Sequence, residues 1–401
     1  VIVAASIGNA LEWFDLVVYG FFAVSISKNF FPAGTESFSL LLALGTFGIS
    51  YVIRPVGALV LGAYADRAGR KQSMLVSIVL MMIGTLMIAV MPPYASIGVW
   101  APVGILVSRL IQGFSAGGEF GSTTALLVEH APERRGFMSS WQFASQGLTT
   151  VIASLFGLVL STQLTPEQLD SWGWRLPFLF GLLIGPVGFY IRKFVDEGEE
   201  FKKPDSTARP VRDVIGTQKS RVMMAVGALV MSTVAGYLIL YMPTYAIKQL
   251  HLPASVGFAA TLTGGIVLTV LTPIVGHLSD RLGRIKIMIS AALAYAITIA
   301  PAFMLLERFP SFTVLMLVML WLGALKAIYF GALPALMSEA FPPATRATGL
   351  ALSYNLGTAI FGGFTPVVVA WLISMTGSKL APSFYLMVCA AVSLVALFFI
   401  P

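Results

Sequence analysis

Gly62-Ala63-Tyr64-Ala65-Asp66-Arg67-Ala68-Gly69-Arg70-Lys71 returns half a chain later as Gly276-His277-Leu278-Ser279-Asp280-Arg281-Leu282-Gly283-Arg284-Ile285-Lys286. Each copy closes one long apolar stretch and opens the next. A charged loop repeated at that spacing, in a chain otherwise poor in charge, describes a membrane protein built from two similar halves, an architecture that moves solutes. The composition agrees: 57% of the 401 residues are hydrophobic and only 11% are charged, which excludes an ordinary soluble domain. A bilayer-crossing helix takes about 20 mostly apolar residues. Twelve such stretches can be counted, at 1–27, 39–64, 73–92, 98–128, 137–161, 174–191, 221–247, 255–278, 287–306, 312–338, 347–376 and 382–400. The expected fold is therefore an all-α membrane protein of twelve transmembrane helices in two six-helix, pseudo-symmetric halves. Residues 1–191 form the first bundle and 221–401 the second, joined by a polar cytoplasmic linker at 192–220 that reads as a solvated tether.

Lysine and arginine gather on the cytoplasmic side of membrane proteins. Seventeen of them fall in loops on the side of the repeated motif, five fall on the opposite side, and three lie inside spans. The motif side and both termini are thus expected to be cytoplasmic. The net charge of +7 is a topology signal; the basic residues are scattered over short loops, so no nucleic-acid partner is expected. The single cysteine, Cys389, reads as a small buried residue, and the three histidines show no metal-binding spacing, so no metal or cofactor is expected. The chain starts inside its first span without Met, which suggests a trimmed polar N-terminus, and no cleavable signal peptide is visible.

The halves echo each other beyond the loop, with Glu129-His-Ala-Pro132-Glu-Arg-Arg135-Gly136 after the fourth span and Glu339-Ala-Phe-Pro342-Pro-Ala-Thr-Arg346-Ala-Thr-Gly349 after the tenth. Gly113, Gly117 and Gly121 form a small-residue stripe suited to close helix packing. Six charges lie inside predicted spans: Glu12, Asp15, Arg54, Arg109, Glu119 and Lys326. Each costs about 2.5–3.5 kcal/mol on insertion scales, so a paired interior is expected. Asn9, Glu12, Asp15 and Tyr19 share one flank of the first helix. Gln112 and Glu119 are nearly eclipsed on the fourth, with Arg109 one turn further out. Tyr329 follows Lys326 by one turn on the tenth, so ammonium and phenol are expected to point to the same face.

Taken together, the two motif copies resemble the major facilitator superfamily. Gly8-Asn9-Ala10-Leu11-Glu12-Trp13-Phe14-Asp15-Leu16-Val17-Val18-Tyr19-Gly20, Arg54-Pro55-Val56-Gly57-Ala58, Gln112-Gly113-Phe114-Ser115-Ala116-Gly117-Gly118-Glu119 and Ser140-Trp141-Gln142 resemble the metabolite:proton symporter family within it. That family carries di- and tricarboxylates, 2-oxoglutarate, shikimate, proline or glycine betaine. Ala359-Ile360-Phe361-Gly362-Gly363-Phe364-Thr365-Pro366, Tyr241-Met242-Pro243-Thr244-Tyr245 and Leu61-Gly62-Ala63-Tyr64 look most like its citrate/tricarboxylate branch; Lys326 departs from it, falling where an uncharged residue is expected. The resemblance implies the major facilitator fold, a bacterial inner (plasma) membrane, alternating access and a monomer, with protons and a small anionic organic acid as partners.

It also implies that the first, fourth and tenth helices line a central cavity. Asp15 opposite Arg109 would then resemble the acid–arginine pair of proton-coupled sugar carriers, with a static salt bridge as the plain alternative. Glu12 is the second candidate proton carrier. Glu119 either carries protons or braces its helix. Arg109 and Lys326 would bracket a substrate with several carboxylates, unless Lys326 is spent on a backbone carbonyl. A zwitterionic osmolyte would instead need an aromatic cage and one cation. Arg54 either contacts substrate or snorkels at a helix end. Asn9, Tyr19, Gln112, Gln142, Tyr241, Asn355 and Tyr329 are candidate neutral contacts. Gly62, Asp66, Arg70, Gly276, Asp280 and Arg284 are assigned to gating.

An enzyme is not expected, since no nucleophile elbow, metal cluster or phosphate loop occurs, and GxxxxGK[ST] is absent, which disfavours ATP-driven transport. The fifth span lacks the GPxxxGG-like run of drug antiporters, which favours symport; Gly185-Pro186 comes near it, but in the sixth. A nutrient sensor on the same fold would carry a long soluble tail, and none is visible.

Overall fold

The computed structural model describes residues 2–68, 70–117, 119–194, 210–342 and 345–400. Its long helices coincide with all twelve apolar stretches. They are α1 (Ile2–Phe21, continued by Ala23–Phe30), α2 (Glu36–Val52 and Arg54–Ala68), α3 (Arg70–Val90), α4 (Trp100–Ala116 and Glu119–His130), α5 (Arg135–Gln163) and α6 (Leu176–Phe194). The second set is α7 (Lys219–Lys248), α8 (Ala254–Leu282), α9 (Arg284–Arg308), α10 (Phe312–Glu339), α11 (Arg346–Gly357 and Thr365–Thr376) and α12 (Ala381–Phe399). Among the described residues, eight helical segments are long and apolar enough to cross a membrane. Helices dominate because hydrocarbon offers backbone amides no partner outside their own segment. The same constraint explains why Pro186, Pro243, Pro273, Pro301 and Pro334 sit inside helices without ending them.

Local chemistry sets the helix ends. Thr35 and Ser311 cap α2 and α10 by accepting from the amides of Phe38 and Val314. Gly283, at φ 91°, is the single residue between α8 and α9, a turn that a side chain would strain. The linker is not wholly a tether. Pro210–Thr217 is a helix whose Val214 is fully buried, and Gln218 bonds to Thr345 at the foot of α11.

The two sets of helices meet most closely where α5 packs on α8. A Cβ on Gly276 would lie 2.5 Å from Ser140 Oγ and 2.6 Å from the Gly136 carbonyl. A Cβ on Gly147 would lie 2.7 Å from the Thr269 amide nitrogen. The Gly113–Gly117–Gly121 stripe divides its work: the first two seat α4 against α2, and Gly121 seats it against Ala347 and Ala351 of α11.

Candidate functional site

The motif end is latched through Asp280. Its carboxylate accepts from the Gly136 and Phe137 amides, at 2.8 and 3.1 Å, in the first turn of α5. An anion on a helix N-terminus satisfies orphan amides and the helix dipole together. Arg284 holds the same carboxylate at 3.1 Å and reaches Glu339 of α10, also at 3.1 Å; Arg135 of α5 approaches Glu339 at 3.8 Å. Of the gating candidates, Gly276, Asp280 and Arg284 meet here. The surroundings of Gly62 and the side chains of Asp66 and Arg70 lie outside the described part of the structure. Glu339, quoted only as part of an echo, turns out to join both arginines.

The opposite end is closed as well. Lys248 of α7 pairs with Glu36 of α2 at 2.7 Å. Phe258 of α8 packs between Phe21 and Phe22 of α1, at 5.8 and 5.5 Å. Nearer the middle, Tyr237 of α7 donates to the Tyr51 hydroxyl of α2 at 2.7 Å, and Trp13 lies 5.7 Å from the Tyr237 ring. α11 is broken here by a π-helical turn, Thr358–Gly362, which overlaps the start of the Ala359–Pro366 motif. That break lets Gly362 and Gly363 sit against Tyr237 and Tyr51.

Between the two closures lies a cavity of about 10 Å³, lined by Trp13, Val17, Gln146, Thr150, Gly236 and Lys326, among others. That is room for about one water. Lys326 is 6% exposed and has no hydrogen-bond or ion-pair partner among the described residues. Its Nζ stands 4.8 Å from the Phe330 ring centroid. On α5, Gln146 Nε2 and both amide atoms of Gln142 are buried and unpaired. Gln146 lines the gap with Lys326, and a cation beside an unpaired amide donor can bind an anion's oxygen acceptors.

The other charges lie elsewhere, and several expectations need correction. Asp15 and Arg109 do not pair. Asp15 accepts from Thr85 of α3, its other oxygen is unpaired, and Gly181 of α6 packs close by. Arg109 bonds to Gln112 at 2.7 Å and Ser50 at 3.1 Å, beneath the Tyr19 ring at 4.6 Å and Phe47 at 5.1 Å. Gln112 donates to Thr85 at 3.1 Å, so a hydrogen-bond chain through Gln112 and Thr85 links arginine to acid. Arg109 is thus packed inside the first half, and the expected two-cation bracket with Lys326 is not formed. Gln112 and Tyr19, which donates to the Ala43 carbonyl, are likewise spent inside that half. Tyr329 does not line the gap with Lys326: its hydroxyl donates to the Ala228 carbonyl of α7 at 2.7 Å. Asn9 ties α1 to α5 through the Gln142 carbonyl and Ser145. Asn355 ties α11 to α4 through the Gly117 carbonyl. Tyr241 is buried in the apolar core.

Arg54 does not snorkel at a helix end. It is 1% exposed, pairs with Glu12 at 2.9 Å, and lies 4.3 Å from the Tyr51 ring beside the interface. Glu12, Asp15 and Glu119 all line a second cavity of about 40 Å³ between α1, α3, α4 and α6. Three carboxylates around one cavity inside a single half were not foreseen. Helical spacing placed Glu12 and Asp15 on one flank but could not say that Thr85, on α3, would face it.

A Major Facilitator Superfamily profile matches residues 5–272, and a Sugar (and other) transporter profile matches residues 191–401. The chain belongs to the major facilitator superfamily. This superfamily member is a multi-pass membrane transporter, as its sequence implied, and within the superfamily it falls with the metabolite symporters. It is 40% identical to the citrate-proton symporter of Klebsiella pneumoniae, over 97% of this chain and 88% of that one. It is 32% identical to the proline/betaine transporter of Escherichia coli (strain K12), over 98% of this chain and 81% of that one. Its fold matches a D-xylose-proton symporter at a TM-score of 0.78, with 19% identity, over 100% of this chain and 96% of that one. In this structure both ends of the transporter's central gap are shut.

Proposed function

We propose that this transporter imports a di- or tricarboxylate such as citrate together with protons, by alternating access between its two six-helix halves, 1–191 and 221–401. The observation that carries the reading is Lys326, a buried ammonium facing the central gap with no anion beside it among the described residues. A carboxylate supplies the missing charge, and the unpaired side-chain N–H groups of Gln142 and Gln146 on α5 supply donors for its remaining oxygens. The 10 Å³ gap holds no such ligand as it stands, so substrate enters only when the halves part at one end. Citrate-proton symport by relatives at 40% identity supports the same class.

The coupling pair in this reading is Glu12–Arg54 rather than Asp15–Arg109. Protonation of Glu12 removes the charge that holds Arg54, leaving a buried guanidinium beside Tyr51 free to meet a second substrate carboxylate. Asp15 and Glu119, around the same 40 Å³ cavity, share the proton's route. Asp280, Arg284 and Gly276 hold the motif end, taken as cytoplasmic from its excess of Lys and Arg, while the opposite end exchanges with the outside.

A second reading is favoured by Trp13, which lines the gap with Lys326 and packs on Tyr237 and, through it, Tyr51, aromatic surface that a zwitterionic osmolyte would use. Proline/betaine transport by relatives at 32% identity points the same way. Equilibrium binding separates the two. Radiolabelled citrate on the purified protein should be displaced by tricarballylate, more weakly by succinate or 2-oxoglutarate, and not by glycine betaine. Displacement of radiolabelled glycine betaine, with no saturable citrate binding, would replace the carboxylate reading by the osmolyte one.

A further inference from the structure

Lys326 and Phe330 are four residues apart and so share a face of α10. The Nζ–ring distance of 4.8 Å places the ammonium within cation–π range of Phe330. Phe330 in turn stacks on Phe143 of α5, with centroids 3.9 Å apart and planes within 9°. Phe143 lies 6.0 Å from Phe120 of α4, which stacks on Tyr354 of α11 at 3.6 Å and 8°. All four rings are buried, and each stack joins the first half of the chain to the second. Together they lie between the Lys326 gap and the Asp280 latch.

We propose that Phe330 is a positioning residue that reports occupancy of the Lys326 site to this aromatic seal. In the empty transporter the ammonium has no anion among the described residues, and the Phe330 ring is its electrostatic partner. A carboxylate entering the gap is the stronger partner and draws the ammonium toward itself. Phe330 then loses the contact that fixes its stacking on Phe143, and the α4–α11 seam behind the stack is released. Bulk alone does not demand an aromatic ring here, since a leucine would fill much of the space. The ring's face is what the cation and Phe143 both use. The proposal rests on the carboxylate reading of Lys326.

The test places a cysteine at Ala351, which meets Gly121 across that seam, and follows its alkylation by a water-soluble maleimide in the purified full chain. The unsubstituted protein, whose only thiol is the buried Cys389, gives the baseline. Citrate should raise the alkylation rate at least fivefold in Ala351→Cys and in Ala351→Cys/Phe330→Tyr, which keeps the ring. In Ala351→Cys/Phe330→Leu, or Phe330→Met should the leucine variant fold poorly, the citrate-free rate should already be raised at least fivefold. Citrate should then add nothing further, while its Kd stays within threefold. A Phe330→Leu seam that remains as slow as the parent without citrate would overturn the relay, and so would one that retains the full citrate response. Failure of citrate to bind the Ala351→Cys parent would count against the carboxylate reading instead, and the citrate-free rates would still judge the seal.

Discussion

Asp280→Asn tests whether the motif end is held by a charge. The carboxylate accepts two amide hydrogen bonds from the start of α5, at 2.8 and 3.1 Å, and one from Arg284 at 3.1 Å. Hydrogen bonds to a charged group contribute about 1.5–3 kcal/mol each, against roughly 0.5–1.5 for neutral ones. Asparagine is isosteric and keeps one oxygen acceptor, but it loses the charge, one amide bond and the pull of the α5 dipole. A net loss of about 2 kcal/mol from the closed end follows, which is roughly a 30-fold change in the closed-to-open ratio. An end that was about 99:1 closed would fall to about 3:1. Spin labels at the exposed positions Arg134 and Arg281, at the feet of α5 and α8, would read this in a pulsed dipolar distance distribution. The unsubstituted background should show one short distance, and Asp280→Asn should add a longer population of roughly a quarter. A distribution unchanged by Asp280→Asn would refute the latch and leave the end held by apolar packing alone.

Three further outcomes follow. Glu12→Gln leaves Arg54 buried without its partner and should cost about 3–5 kcal/mol of stability, whereas Glu12→Gln/Arg54→Gln should recover most of it; thermal unfolding that ranks the double variant below the single one would contradict this. Gly147→Ala puts a methyl group 2.7 Å from the Thr269 backbone nitrogen, and the overpacking should lower stability by about 1–3 kcal/mol and slow transport; unaltered melting and rate would show that α5 and α8 have room to spare. Lys326→Gln should weaken citrate binding roughly 10- to 100-fold, the equivalent of one charge-assisted contact, and isothermal titration giving the parent's Kd would demote Lys326 to a structural cation.

The helices were readable in the sequence because hydrocarbon leaves a chain one way to satisfy its backbone, so hydropathy alone marks each rod. Asp280 stood out because its charged loop is repeated, but its partners, the first amides of α5, lie far off in the chain and only packing brings them together. The pairing inside the bundle was no more readable. Spacing on α1 puts Glu12 and Asp15 on one flank, yet Arg54 and Thr85 come from α2 and α3, and only packing decides which acid meets which. Lys326 and Tyr329 show the limit most simply. Three residues on a helix are some 60° apart, enough for one to face the gap while the other reaches the Ala228 carbonyl. The aromatic seal left no trace at all, since Phe120, Phe143 and Phe330 are three of 28 phenylalanines in an apolar chain.

The central claim, that a proton gradient drives a carboxylate through a gap read by Lys326, is tested most directly in proteoliposomes with an imposed acid-outside gradient. Citrate and glycine betaine would be offered separately to the unsubstituted protein and to Lys326→Gln. The account predicts accumulation of citrate above equilibrium by the unsubstituted protein, its loss in Lys326→Gln at the same citrate concentration, and no accumulation of betaine. Accumulation of betaine alone, or citrate uptake indifferent to both the gradient and Lys326, would contradict it.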